Sequence, residues 1–415
     1  RMVTGVQTCA LPICILTTCF NWRYIFFINV PIGCICMLLT MKFIKESYDP
    51  AASKSIDFGG IITISTAMFC LTFALIKANE KGWTSIFIIS LFAVSAIVLI
   101  LFVIIELKVK EPLLPLSLFK SVQFTNGSIS LFLLGLGMMS SSYFLSFFLI
   151  QVKGLNQLSA GLIISTMSLS SMFFSILAAI LTKKLGSRFL SALGIVLLCA
   201  SCYLNSSLTQ NSSNIDIILR LIVAGAGTGL SMATLMTSTI ANVPVDKIGI
   251  AAGINNMTRT LGTVLGVALF LTIFTSNMTT QISDAKDSAV QTIQNDTVFN
   301  NKTKLQMISS IKAGSGKSVS LSEILNTIDK KETDVLASAP VMAENKIKEN
   351  FEAQKKETKK IAPIIQDTFL TYTVKAFSFT FKMSAVILLP GILFALFSDK
   401  KRYPNIKNKQ DITQK

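Results

Sequence analysis

Nine apolar runs restrict what this chain can fold into more than any other feature. They are Tyr24–Met41, Phe58–Ile76, Ile86–Ile105, Asn126–Ile150, Ala160–Leu181, Phe189–Leu208, Ile215–Ala241, Ile250–Thr275 and Phe377–Phe397. At 1.5 Å per residue, a helix needs about 20 residues to cross about 30 Å of hydrocarbon. Lipid offers no partner for backbone N–H and C=O groups, so each crossing run must close its hydrogen bonds within itself. The reading is an all-α membrane protein with nine transmembrane helices. Composition agrees: 51% of residues are apolar, only 14% are charged, and the mean hydropathy is +0.60, the balance of a lipid-facing chain rather than a water-soluble core.

The formal net charge of +16 invites a nucleic-acid reading, but the basic residues are scattered between the apolar runs and form no domain-wide patch. Topology accounts for them better. The connections after the first, third, fifth and seventh runs, with the C-terminal tail, carry sixteen Lys and Arg, and the opposite short connections carry four. By the positive-inside rule the rich side is cytoplasmic, which puts Trp22 outside and the C-terminus inside. The chain has no His, which removes His-based triads, His metal sites and His general bases. Cys199 and Cys202 form a Cys-x-x-Cys within an apolar run. Without a thioredoxin-like context they read as small packing residues, and no metal or cofactor is implied.

The stretch Asn21–Gly33 reads Asn-Trp-Arg-Tyr-Ile-Phe-Phe-Ile-Asn-Val-Pro-Ile-Gly. Trp22 and Tyr24 suit the membrane boundary, and Arg23 can keep its head among lipid headgroups. Pro31 and Gly33 loosen the helix that follows. The same run, through Trp22, Arg23, Asn29, Pro31 and Gly33, resembles the sixth-helix signature of the fourteen-span drug:proton antiporters of the major facilitator superfamily, the EmrB/QacA type. Three further stretches are similar to that family. Gln151–Leu162 resembles its Gln…Gly…Ala-Gly-Leu junction. Gly249–Gly266 resembles its Asn-x-x-x-Arg-x-Leu-Gly…Gly run. Lys183–Arg188 stands where superfamily members carry an Asp-Arg-x-Gly-Arg loop; it keeps Gly186 but has Lys183 in the Asp position.

The resemblance implies an organisation. Residues 1–13 do not resemble the family and read as an atypical, artefactual start, so the chain is expected to be N-terminally truncated. Residues 14–56 would hold the last helix of the N-terminal bundle with a cytoplasmic loop. Residues 57–105 would be the two extra helices of fourteen-span members, and 106–125 a cytoplasmic linker. Residues 126–275 would be the first five helices of a complete C-terminal six-helix bundle. Residues 276–376 would be an extracytoplasmic hydrophilic segment, 377–397 the last transmembrane helix, and 398–415 a basic cytoplasmic tail.

Polar and small residues concentrate in particular runs. The fourth carries Ser141 and Tyr143 and ends at Gln151; the seventh carries Arg220, Gly225 and Gly229; the eighth carries Asn255, Asn256, Arg259, Gly262 and Gly266. The Gly225/Gly229 and Gly262/Gly266 spacings are Gly-x-x-x-Gly, which lets helix backbones approach closely. In a facilitator C-terminal bundle the corresponding helices line the central cavity. That makes Ser141, Tyr143, Gln151, Arg220, Asn255, Asn256 and Arg259 the substrate-cavity candidates. Asp216 lies one turn before Arg220, so a snorkelling Arg with a helical ion pair is the first reading of that residue and a cavity-lining cation the second. Asp57 reads as a helix N-cap. No Asp or Glu falls near the middle of any run, and the resemblance places the proton-coupling acids in the N-terminal bundle.

Residues 276–375 are rich in Lys, Asp, Glu, Asn, Gln, Ser and Thr, and within them Ile347, Phe351 and the Lys/Glu pairs around them fit amphipathic helix. Gly314–Ser318 resembles the end of a phosphate loop, but Ile311 stands where the first Gly belongs. The function implied is not enzymatic. It is a proton-coupled multidrug efflux antiporter of the plasma membrane of a bacterium, exporting lipophilic, often cationic compounds, with the lipid bilayer, a small-molecule substrate and protons as its partners and no nucleic acid. Two alternatives stay open: a metabolite or peptide exporter of the same superfamily, or a membrane-anchored binding protein acting through residues 276–376.

Overall fold

The computed structural model describes residues 23, 27, 29–43, 57–109, 112, 114–241, 243, 244, 247–296, 299, 301–313 and 344–399. Among them every regular element is helical. In chain order the α-helices are α1 (Asn29–Phe43), α2 (Phe58–Lys81), α3 (Ile86–Lys108), α4 (Val122–Met139), α5 (Leu145–Gln151), α6 (Gln157–Leu185), α7 (Ser187–Asn205), α8 (Asn214–Ile240), α9 (Ile248–Asn295), α10 (Asn301–Ala313) and α11 (Glu344–Leu396). A short 3-10 turn, Leu116–Lys120, precedes α4, and a π-helical turn, Ser140–Phe144, joins α4 to α5 in one 30-residue span.

Eight helices are long and apolar enough to cross a membrane among the described residues. The ninth expected span, Tyr24–Met41, corresponds to α1, described over 15 residues. Trp22 and Tyr24 lie outside the described residues, as does the Gly314–Ser318 run. The expected ends of the last two spans fall inside longer helices, because α9 has 48 residues and α11 has 53.

Local chemistry sets the helix ends. Asp57 Oδ1 accepts the Gly60 N–H at 2.8 Å and caps α2, the N-cap role read from the sequence. Asn156 Oδ1 accepts the Ser159 N–H at 2.8 Å at the start of α6. Gly186, with φ +82°, ends α6 in a conformation that other L-residues rarely adopt.

The chain divides into two compact units. The first comprises residues 1–207, 212–272 and 380–415. Within it α2 and α3 form a hairpin, held by the buried Ser95 Oγ donating to Ala67 O at 2.9 Å. Helix α8 packs against α4, α6 and α7. The close approaches run through glycines. A Cβ added at Gly225 or Gly229 would fall on the α6 carbonyls of Met167 or Ser171, and one at Gly262 or Gly266 on the α4 backbone at Phe132 or Leu136. In lipid such contacts replace the hydrophobic drive that packs helices in water. Hydroxyls add bonds between helices: Ser170 Oγ donates to Ile222 O at 2.8 Å, and Ser201 Oγ to Arg220 O at 2.9 Å.

The second unit comprises residues 208–211 and 273–379. The sequence reads as amphipathic helix around Ile347 and Phe351, and the structure gives the unit a core of its own. Ala285, Ala289 and Ile293 of α9 meet Phe299, then Met307 and Ile311 of α10, and Ile361, Ile365 and Phe369 of α11. Lys286 Nζ ties α9 to α10 by donating to Lys312 O at 3.1 Å.

Candidate substrate site

Which exposed faces belong to lipid can be judged from what they carry. On α2 and α3 the exposed side chains include Ile62, Phe69, Ile76, Ile89, Ile97, Ile100 and Leu101, a surface made for hydrocarbon. The exposed face of α9 in the first unit differs: Gly249, Gly253, Asn256 and Thr260 are open, and Arg259 is half-buried beside them. These positions recur at three- and four-residue spacing, so they share one face of the helix. A polar stripe open on a membrane-spanning helix is costly against lipid and suits a watered cavity.

Two sequence candidates, Asn256 and Arg259, lie on this stripe, and a third, Asn255, is buried behind it. Arg259 Nη2 donates to Asn256 Oδ1 at 3.0 Å, while its Nε is buried without a hydrogen-bond partner. Asn255, one turn before Arg259, is fully buried; its Oδ1 accepts from Ser128 Oγ of α4 at 3.2 Å and its Nδ2 has no partner. The α4 glycine Gly135 lies directly against the Arg259 carbonyl, so α4 is the wall on which this part of α9 rests.

The other candidates lie elsewhere. Tyr143 is exposed on the π-helical turn, its ring 5.0 Å from that of Phe147. Ser141, expected on a cavity wall, is instead fully buried, with its Oγ 3.4 Å from Cys202 Sγ of α7. Gln151 is exposed at the end of α5. Arg220 is engaged on several sides: Nε and Nη2 meet Asp216 at 3.1 and 2.8 Å, and Nη1 donates to Ser207 Oγ at 3.1 Å and to Leu204 O. Those partners sit on α8 and at the end of α7, so Arg220 acts as a clamp between two helix ends. Of the signature residues, Asn29, Pro31 and Gly33 are exposed along α1, and Arg23 accepts a bond from the Phe27 N–H at 3.3 Å through its carbonyl.

Two features escaped the sequence reading. The π-helical turn is written in the Ser140–Ser142 run, where Ser142 Oγ bonds back to Met138 O at 2.9 Å and loosens the helical ladder. Thr260 belongs to the polar stripe, and its four-residue spacing from Asn256 was the available signal.

The Major Facilitator Superfamily profile matches residues 9–267. The chain belongs to the major facilitator superfamily. This facilitator is 31% identical over 272 residues to Multidrug resistance protein 3 of Bacillus subtilis, an alignment covering 65% of the chain and 53% of the relative. It is 27% identical to the Tetracenomycin C resistance and export protein of Streptomyces glaucescens, over 66% of the chain and 52% of the relative. To Riboflavin transporter RibZ of Clostridioides difficile it is 28% identical, over 67% and 60%. The chain spans about half the length of the first two relatives.

Proposed function

We propose that this facilitator is part of a proton-coupled antiporter of the fourteen-span drug-export type, exporting lipophilic, often cationic compounds. The observation that carries the reading is the polar stripe of Gly253, Asn256, Arg259 and Thr260 on α9, where the exposed faces of α2 and α3 carry hydrocarbon instead. On this reading α4 to α9 and the apolar end of α11 make up the C-terminal bundle, α2 and α3 are the two extra helices, and the C-terminus is cytoplasmic. The stripe then faces the other bundle across a midplane cavity, and rocking of the bundles exposes it to each side in turn. The relatives support export as the direction and leave the substrate wide: they are named for multidrug resistance, for tetracenomycin C resistance and export, and for riboflavin transport.

Coupling to protons needs a carboxylate whose ionised form is costly in the membrane, so that proton and substrate compete for it. The described acids of the first unit stand near helix ends, as Asp57, Glu80, Glu106, Asp216 and Asp399 do. The coupling acid therefore belongs to the facing bundle. A chimera in which this chain replaces the matching segment of Multidrug resistance protein 3 supplies that bundle. In everted vesicles it is expected to transport a fluorescent lipophilic cation and to stop when an uncoupler is added. A chimera that inserts normally but transports nothing, or that ignores the uncoupler, would contradict the proposal.

A further inference from the structure

We infer that the α9 wall of the site binds an anionic oxygen of the substrate, a carboxylate or phenolate, through Arg259; this rests on the reading of the polar stripe as cavity wall.

Arg259 lies eleven residues into α9, which begins at Ile248, or about 16 Å along the helix axis. That is the middle of a span. A guanidinium there keeps its charge and offers five N–H groups. The bond it makes among the described residues is to the neutral amide oxygen of Asn256, and Nε is closed from water without a partner. One turn away, the Asn255 amide adds a second unpartnered donor, Nδ2, in a side chain that is fully buried. The turn is thus rich in donors and poor in acceptors. Among the described residues of the α4–α8 spans the acid is Asp216, and it is paired with Arg220.

A half-buried guanidinium with a sealed, unpartnered Nε is under-satisfied, and a carboxylate supplies what this turn lacks. It meets a guanidinium through two parallel N–H···O bonds, which the single oxygen of Asn256 cannot provide. The same positive charge repels a cation. A cationic substrate must therefore hold its charge away from this wall, and a zwitterion or an anionic aromatic compound fits it directly.

The test uses the whole chain, purified into nanodiscs, and two fluorescent xanthene dyes that differ only in a free carboxylate against its ethyl ester. Binding is read by fluorescence anisotropy. The carboxylate dye is expected to bind about tenfold more tightly, the worth of one charge-assisted bond. Arg259→Gln should abolish the preference by weakening binding of the carboxylate dye, and an unchanged midpoint in a detergent–SDS titration shows that the variant is folded. Arg259→Lys should keep part of it, because charge remains and the two-pronged geometry is lost. Equal affinities in the parent chain, a preference that survives Arg259→Gln, or no binding of either dye would overturn the inference. The two proposals separate cleanly. A carboxylate preference beside a chimera that transports nothing would sink proton-coupled export and keep the anion site; uncoupler-sensitive transport without the preference would do the reverse.

Discussion

Replacing Gly227 by Ala isolates the close packing of α7 on α8. A Cβ built there would lie 2.6 Å from Leu198 N and 2.7 Å from Gly194 O, both backbone atoms of α7 that cannot rotate away. Ordinary contact begins at 3.4 Å, so the helices must part by about 0.8 Å. The same movement would stretch the 2.9 Å bond from Ser201 Oγ to Arg220 O to about 3.7 Å and break it. Overpacking costs about 1–3 kcal/mol, the lost bond adds about 0.5–1.5 kcal/mol, and the better helix propensity of Ala returns about 1 kcal/mol. The net loss is about 0.5–3.5 kcal/mol. Gly253→Ala is the matched control, because nothing lies within 4 Å of its added Cβ; it should be neutral or gain up to about 1 kcal/mol. Unfolding in a detergent–SDS titration reads both. If the two variants have the same midpoint, the packing argument fails.

Arg220→Gln should lower stability by about 1 kcal/mol, because the Asp216 pair is partly exposed and the bonds to the end of α7 are lost with it; its dye binding should match the parent, and a lost carboxylate preference would make Arg220 a site residue. In the second unit, Phe369→Ala removes a buried ring from the core and should cost about 3–5 kcal/mol there. Limited proteolysis should then cut between residues 273 and 379 first, and unchanged resistance would mean that this core does not hold the unit together.

Membrane class, the span positions of α2 to α8 and the glycine contacts were legible because hydropathy and Gly-x-x-x-Gly spacing are local signals. The cap at Asp57 was legible for the same reason. Faces were harder. Ser141 and Tyr143 are two residues apart, which puts them on opposite faces of any helix; Ser141 turns to Cys202 and Tyr143 stays exposed. Which of the two is the buried one depends on Cys202 of α7, a distant partner that no local pattern shows. The 48-residue length of α9 was hidden because its apolar stretch ends near Thr275 while its backbone bonds continue. The core around Phe369 was hidden because its members come from three distant segments, each amphipathic but none hydrophobic enough to stand out. For Arg220 the sequence favoured the ion pair with Asp216 over a cavity role; three-dimensional partners from the end of α7, out of reach of any local reading, add the clamp.

The central claim is that one face of α9 lines water while the faces of α2 and α3 line lipid. Single cysteines at Thr260 and at Ile100, placed one at a time in a chain freed of its native cysteines, test it in intact membranes with a small water-soluble thiol reagent. Thr260→Cys should be labelled quickly and Ile100→Cys hardly at all, since a thiol in hydrocarbon is neither ionised nor reached. Equal, slow labelling at both positions would place the α9 stripe against lipid and contradict the account.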